Sequence, residues 1–132
     1  MLLQQSGRSN KNGLIIISVE GKYGGMLSDP NVYFEKLPTI FQRDLLYAKG
    51  HLRVHYYTPE SLRQLLEGYG IDVMGIFGSH YVTEGIFHGL ININKLDDKD
   101  YKQKVFNIER SCRNDPVLKN LARSWVAVGR KR

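Results

Sequence analysis

The residues of this sequence that could bind a substrate or move a proton lie in two stretches of its first half. The first stretch directly follows an apolar run, and the second precedes a predicted helix. Their candidate members are Glu20, Lys22, Tyr23, His51, Arg53 and Tyr56. A carboxylate or an imidazole can accept a proton, and cationic side chains can hold a polar substrate. We therefore expect substrate contacts at these positions, but the pattern identifies no catalytic residue.

The first stretch is rich in glycine, with Gly21, Gly24 and Gly25 around Lys22 and Tyr23. Glycine lets a backbone approach a ligand closely, so this segment could meet a substrate where a strand ends. The alternative, which is the more common one for such a segment, is a flexible exit from that strand. A phosphate-binding loop is excluded, because the spacing and the Gly-Lys-Ser/Thr ending of that motif are absent.

The second stretch contains two histidines, His51 and His55, at the i, i+4 spacing that can bind zinc on a helix. Residues 54–57 look extended rather than helical, and the sequence offers no obvious third ligand. We therefore expect no metal site. A histidine could instead act as a proton acceptor, or the stretch could simply pack in the core.

A strand over residues 14–19 must position the first stretch. Its almost entirely aliphatic composition predicts burial on both faces, with an end near Glu20. The segment 26–57 that follows is aromatic and irregular, which predicts a substrate-side insertion or lid containing a short helix over residues 39–49.

The clearest helix of the sequence begins after Thr58, an N-cap residue, with Pro59 in its first turn. Leucines follow at the spacing of one helical face, and Gly70 predicts the end. A strand over residues 71–77, a second helix opened by acidic residues and a final strand over residues 124–128 complete the pattern. The expected apolar face of the second helix is Tyr101, Val105, Ile108 and Cys112. Strands that alternate with helices predict one α/β domain over residues 1–132.

Composition sets further bounds. The net charge of +6 is dispersed, apart from residues 130–132, so a nucleic-acid partner is possible but not favoured. No apolar run approaches the roughly 20 residues that span a bilayer, so we expect no membrane association. The single cysteine fits a reducing compartment, and we expect a cytoplasmic protein.

Three stretches in order resemble the C-terminal half of class I S-adenosylmethionine-dependent methyltransferases. Residues 12–20 look like the fifth strand of that family, and residues 57–73 look like the helix that leads into the sixth strand. Residues 115–131, which include Trp125, look like the last helix and the seventh strand. The resemblance implies a partial Rossmann-like, mixed sheet of strands five, six and seven, with flanking helices. The last strand would run antiparallel between the other two.

The resemblance also implies what the chain lacks. In that family the first strand and its glycine-rich turn hold S-adenosylmethionine, and no such unit precedes Leu14. We therefore expect the substrate-side part of a methyltransferase, with no cofactor-binding residues and no cofactor bound by this chain alone. The cut edge of the strand at residues 14–19 predicts a homodimer or association with a cofactor-binding half.

Two alternatives remain open at this stage. The chain could be a non-catalytic binding or assembly module on a truncated methyltransferase scaffold, or a basic nucleic-acid-binding domain. The methyl acceptor is not indicated by any residue pattern.

Overall fold

The computed structural model describes residues 12–47 and 53–132, which form an α/β arrangement. The strands are β1 (Leu14–Glu20), β2 (Leu45–Tyr47), β3 (Arg53–His55), β4 (Ile71–Ser79) and β5 (Ser124–Lys131). The α-helices are α1 (Lys22–Ser28), α2 (Leu37–Arg43), α3 (Pro59–Gly68) and α4 (Lys99–Asn114). Short 3-10 turns occur at Phe34–Lys36, His88–Leu90, Ile93–Lys95 and Leu118–Leu121.

The long strands form a three-stranded sheet in the order β1–β5–β4. The last strand of the chain therefore lies between the two earlier ones, and it pairs antiparallel with both. Ala127 shows the arrangement, because Ile17 lies opposite it on one side and Ile76 on the other. The predicted position and direction of the final strand are confirmed. The expectation of a mixed sheet is wrong for the described strands, since every pairing among them is antiparallel.

The two faces of this sheet differ in burial. Ile15, Ile17 and Val19 of β1 are buried in one core with residues of β5, α3 and α4. The residues that alternate with them point to the other face, where Leu14 is 60% and Ile16 is 71% exposed. The predicted burial of β1 on both faces is therefore wrong for the described part of the chain, because α3 and α4 contribute to a core on one face only.

Helix α3 follows its local sequence signals. Thr58 Oγ1 accepts from the N–H of Ser61, and the N–H of Thr58 donates to Ser61 Oγ, which completes a capping box. Leu62 and Leu66 are buried, and Gly70 adopts a left-handed φ of 76° just after the helix. The predicted start and end of this helix are confirmed.

Helix α4 is capped by Asp98, whose carboxylate accepts from the N–H of Tyr101. Val105 and Cys112 are buried, as predicted, but Ile108 is half-exposed. The predicted apolar face is therefore only partly in the core.

The segment between α1 and α3 differs from its prediction. Helix α2 ends at Arg43 because Asp44 adopts a left-handed φ of 54°, and β2 then pairs with β3. The predicted helix over residues 39–49 is wrong beyond that point, and residues 48–52 lie outside the described part. Ile40 and Tyr56 form a small second core of this segment.

Candidate functional site

The carboxyl ends of β1 and β4 lie at the same edge of the sheet, because both strands run antiparallel to β5. Ser124, the first residue of β5, lies opposite Glu20 on one side and Ser79 on the other. Open α/β sheets bind ligands at the edge where such carboxyl ends meet. Arg123 precedes Ser124, so a guanidinium is placed at the same edge.

The glycine-rich segment after β1 is a helix. The N–H of Gly25 donates to the carbonyl of Gly21, and α1 starts between them. A side chain on Gly21 would collide with the carbonyl oxygen of Ala122, and one on Gly24 with those of Leu121 and Ala122. The expected flexible exit is therefore wrong, because the segment is helical and its glycines let the chain approach its own backbone. The substrate contact at this segment stays a prediction.

Glu20 is the half-buried carboxylate of this edge. Its Oε2 lies 3.9 Å from Arg123 Nε, which is the only polar partner of the carboxylate among the described residues. Burial raises the pKa of Glu20 above its ordinary value, and the positive charge of Arg123 lowers it by less. Asp29 and Glu84 lie near enough to raise this pKa further, while His80 opposes them.

Lys22 and Tyr23 begin α1. Lys22 Nζ lies 2.5 Å from Asp44 Oδ1, and the lysine side chain is only 15% exposed. The same ammonium lies 5.9 Å from the centre of the Tyr23 ring, and Tyr23 is 44% exposed. Lys22 therefore joins α1 to the end of α2, whereas Tyr23 presents its ring to solvent beside the edge.

Tyr56 lies under the edge. It is 1% exposed, and its hydroxyl donates to Asp29 Oδ2 over 3.4 Å. Burial, followed by the negative charges of Asp29 and Glu20, raises the pKa of Tyr56. An added side chain on Gly25 would meet both the Glu20 carboxylate and the Tyr56 ring. Tyr56 thus lies buried near Glu20 and does not reach solvent.

The remaining candidates, Arg53 and His51, are not placed by the structure in the cluster at Glu20, which consists of Glu20, Asp29 and Arg123 with Tyr56 beneath. Arg53 is exposed in β3, and its side chain has no hydrogen bond or ion pair with any described residue. His51 lies outside the described residues. Within residues 12–47 and 53–132, no three histidine, cysteine, aspartate or glutamate side chains are grouped as a metal ion would require.

Sequence reasoning missed four residues of this edge, namely Arg123, Asp29, His80 and Glu84. Arg123 could have been predicted, because an antiparallel final strand beside β1 places the residue that precedes this final strand next to Glu20. His80 and Glu84 adopt left-handed φ values of 61° and 59°, which non-glycine residues seldom do and which often mark functional sites.

The chain between His80 and Glu84 is fixed by a carboxylate of α4. Glu109 accepts from the backbone N–H groups of Tyr81, Val82 and Thr83 at distances between 2.6 and 3.1 Å. The hydroxyl of Tyr81 donates to the carbonyl of Lys119 over 2.7 Å. These bonds hold the exit of β4 beside the exit of β1.

The cluster can therefore hold a polar group of a ligand between a carboxylate and a guanidinium. A carboxyl with a raised pKa is also better suited to exchange a proton near neutral pH than an ordinary one.

No helix among the described residues has both the length and the apolar character needed to cross a bilayer. No known family model matches the sequence, and no curated protein sequence matches it significantly.

Proposed function

We propose that this chain is the substrate-side part of a class I S-adenosylmethionine-dependent methyltransferase. The observation that supports the proposal is the strand order β1–β5–β4, in which the last strand is antiparallel between two strands that run in the same direction. This is the order that the resemblance implies for strands five, seven and six. Short-range sequence signals alone predict the strands but not this order.

The glycine-rich segment after β1 would not be the place where the cofactor binds. At the glycine-rich segment after β1, the carbonyls of Leu121 and Ala122 occupy the space next to Gly21 and Gly24 that a ligand would need. A separate unit, with its own strand and glycine-rich turn, would hold S-adenosylmethionine. The chain described here would hold the methyl acceptor.

Glu20 is the residue that we assign to the acceptor. Methyl transfer requires that the acceptor atom be aligned and, where it carries a proton, that the proton be removed. Glu20 has no hydrogen bond from the described backbone, so both carboxylate oxygens remain able to accept one from a ligand. Arg123 would orient this carboxylate, and Tyr23 would provide an exposed aromatic surface beside it.

Association would take place at β1. Its outer face exposes Leu14 and Ile16, and β1 is an edge strand of the described sheet. A strand with apolar residues on both of its faces is typically covered on both sides. A cofactor-binding half would extend the sheet at this edge and cover that face, and a second copy could occupy it when the half is absent.

Calorimetric titration of the chain with S-adenosylmethionine tests the division of roles, and light scattering of the same sample tests the assembly. We expect no tight cofactor binding and a mass above that of one chain. Tight binding to the isolated chain would contradict the assignment of the cofactor to another unit. A monomer at micromolar concentration would contradict association through a second copy.

The coding sequence around the gene tests the family itself. We expect a strand followed by a Gly-x-Gly turn, either upstream in frame or in a neighbouring frame. Co-expression with that unit should give methyl transfer that Glu20→Gln impairs and Glu35→Gln, an exposed carboxylate on the turn Phe34–Lys36, leaves unchanged. The lack of any such unit would favour the non-catalytic module.

A further inference from the structure

A cavity of about 530 Å³ lies between α4 and the chain that follows β4. It shares no lining residue with the cluster at Glu20. Its walls are mostly aliphatic and aromatic, and they include Val82, Phe87, Ile91, Val105, Ile108 and Leu118. Sites for small molecules typically have volumes of roughly 300–1,000 Å³ and mainly apolar walls with a few polar groups. The size and lining of this cavity therefore fit a small ligand.

The rim of the cavity is apolar as well. Leu90, which also lines it, is 82% exposed, and Ile108 on the opposite wall is 50% exposed. Large side chains that line one opening and remain exposed lose contact with water when a ligand enters, which favours binding. The helix α4 thus presents an apolar side chain at the position where a ligand would enter.

The charged groups of the cavity leave one positive charge without a partner. Lys104 lines the cavity, and its side chain makes no ion pair or hydrogen bond with the described residues. Asp115 also lines it, but its Oδ1 accepts from the N–H groups of Val117 and Leu118, both at 2.9 Å. These bonds occupy Asp115 Oδ1 and lower the pKa of Asp115, so its carboxylate stays ionised and is held by the backbone of the next residues. Cys112, at the wall, is buried and has a raised thiol pKa, so it adds no negative charge.

We propose that this cavity binds a small apolar carboxylate, with its hydrocarbon part between Phe87 and Ile108 and its carboxylate at Lys104. The proposal rests on the cavity, its apolar rim and the unpaired ammonium, and it does not depend on the methyltransferase proposal. An apolar cation would be repelled by Lys104. A neutral alcohol would fill the same walls without the ion pair.

The test is a titration of the full chain, followed through its backbone amide resonances, with decanoate and, separately, with decanol. We expect saturable shifts for decanoate, confined to α4 and to residues 82–91. Lys104→Gln should weaken decanoate binding by about two- to fivefold, the effect of one solvated ion pair, and should leave decanol binding unchanged. Lys102→Gln, on the same helix but outside the cavity, is the matched control.

A second pair of variants fixes the place of binding. Ile108→Trp should fill the cavity and abolish saturable binding, whereas Phe106→Trp, an equally exposed position of α4 outside the cavity, should not. Binding that survives Ile108→Trp, or shifts spread over the whole chain, would overturn the site. Equal loss of decanoate and decanol in Lys104→Gln would overturn the carboxylate as the ligand class.

Discussion

The chain continues into helix α1 at the carboxyl end of β1, and into a loop of residues 80–85 at the carboxyl end of β4. One glutamate side chain lies at each of these two places. Glu109 beside β4 accepts from three successive backbone N–H groups. Glu20 beside β1 accepts from none of the described residues and has only Arg123 at 3.9 Å. The backbone at β1 is satisfied without it, since the N–H of Gly21 donates to Arg123 and that of Lys22 to Tyr57.

The difference separates a structural carboxylate from one that a ligand can use. A carboxylate whose oxygens are occupied by backbone N–H groups holds a loop and has little capacity left. A half-buried carboxylate without such bonds costs free energy when ionised and gains from a ligand that donates to it. The exit of β1 is held by close packing of glycines, which leaves its carboxylate unused, and the exit of β4 is held by its carboxylate.

Gly24→Ala should have the largest effect, because it removes the close packing on which the exit of β1 depends. The added methyl group would collide with the carbonyl oxygens of Leu121 and Ala122, which are backbone atoms and cannot turn aside. We expect a loss of about 3 kcal/mol in the free energy of unfolding, at the upper end of overpacking effects. Urea denaturation monitored by circular dichroism measures it.

Gly68→Ala is the matched control for this prediction. Gly68 is also helical, and no atom lies within 4 Å of the position that its new methyl group would take. This change should stabilise α3 by up to about 1 kcal/mol through helix propensity. Equal effects of the two substitutions would show that α1 does not pack on residues 121–122 in solution.

Glu109→Gln should have an intermediate effect at the exit of β4. The amide keeps one acceptor oxygen and replaces the other with a donor that faces backbone N–H groups, so we expect a loss of about 1–3 kcal/mol. Hydrogen exchange should become faster at the amides of Tyr81, Val82 and Thr83 in particular. Arg110→Gln, an exposed neighbour on α4, should change neither quantity. Unchanged exchange at those three amides would contradict the role of Glu109.

The parts of the fold that could be predicted are those that local signals determine. Thr58, Pro59 and Gly70 define the two ends of α3 through groups within a few residues, so no distant contact was needed. The order of the sheet is not local, and only the resemblance to a known family predicted that β5 lies between β1 and β4.

The parts that were missed depend on contacts between distant residues. Helix α1 contains Gly24 and Gly25, whose helix propensity is poor, and it packs on residues 121–122, about a hundred residues away in sequence. Asp29 follows that helix, so its place beside Tyr56 could not be predicted either. The exposed Ile16 has the same sequence signature as a fully buried strand residue, and only the position of the helices distinguishes them.

Glu20→Gln should have the smallest effect on stability and the most specific dependence on pH. The pKa of Glu20 is raised in the folded chain above its ordinary value of 4.5, so the folded state binds the proton more tightly than the unfolded state. The contribution of Glu20 to stability is therefore full below about pH 4.5 and is lost as the pH rises through the raised pKa. A glutamine cannot ionise and should not show this loss.

The difference in the free energy of unfolding between the parent chain and Glu20→Gln, measured from pH 4 to pH 7, isolates this effect. The parent should become less stable relative to the variant as the pH rises across this range. A pH-independent difference for Glu20→Gln would mean that this carboxylate is fully hydrated in solution, and the contrast between the two strand exits would then be lost.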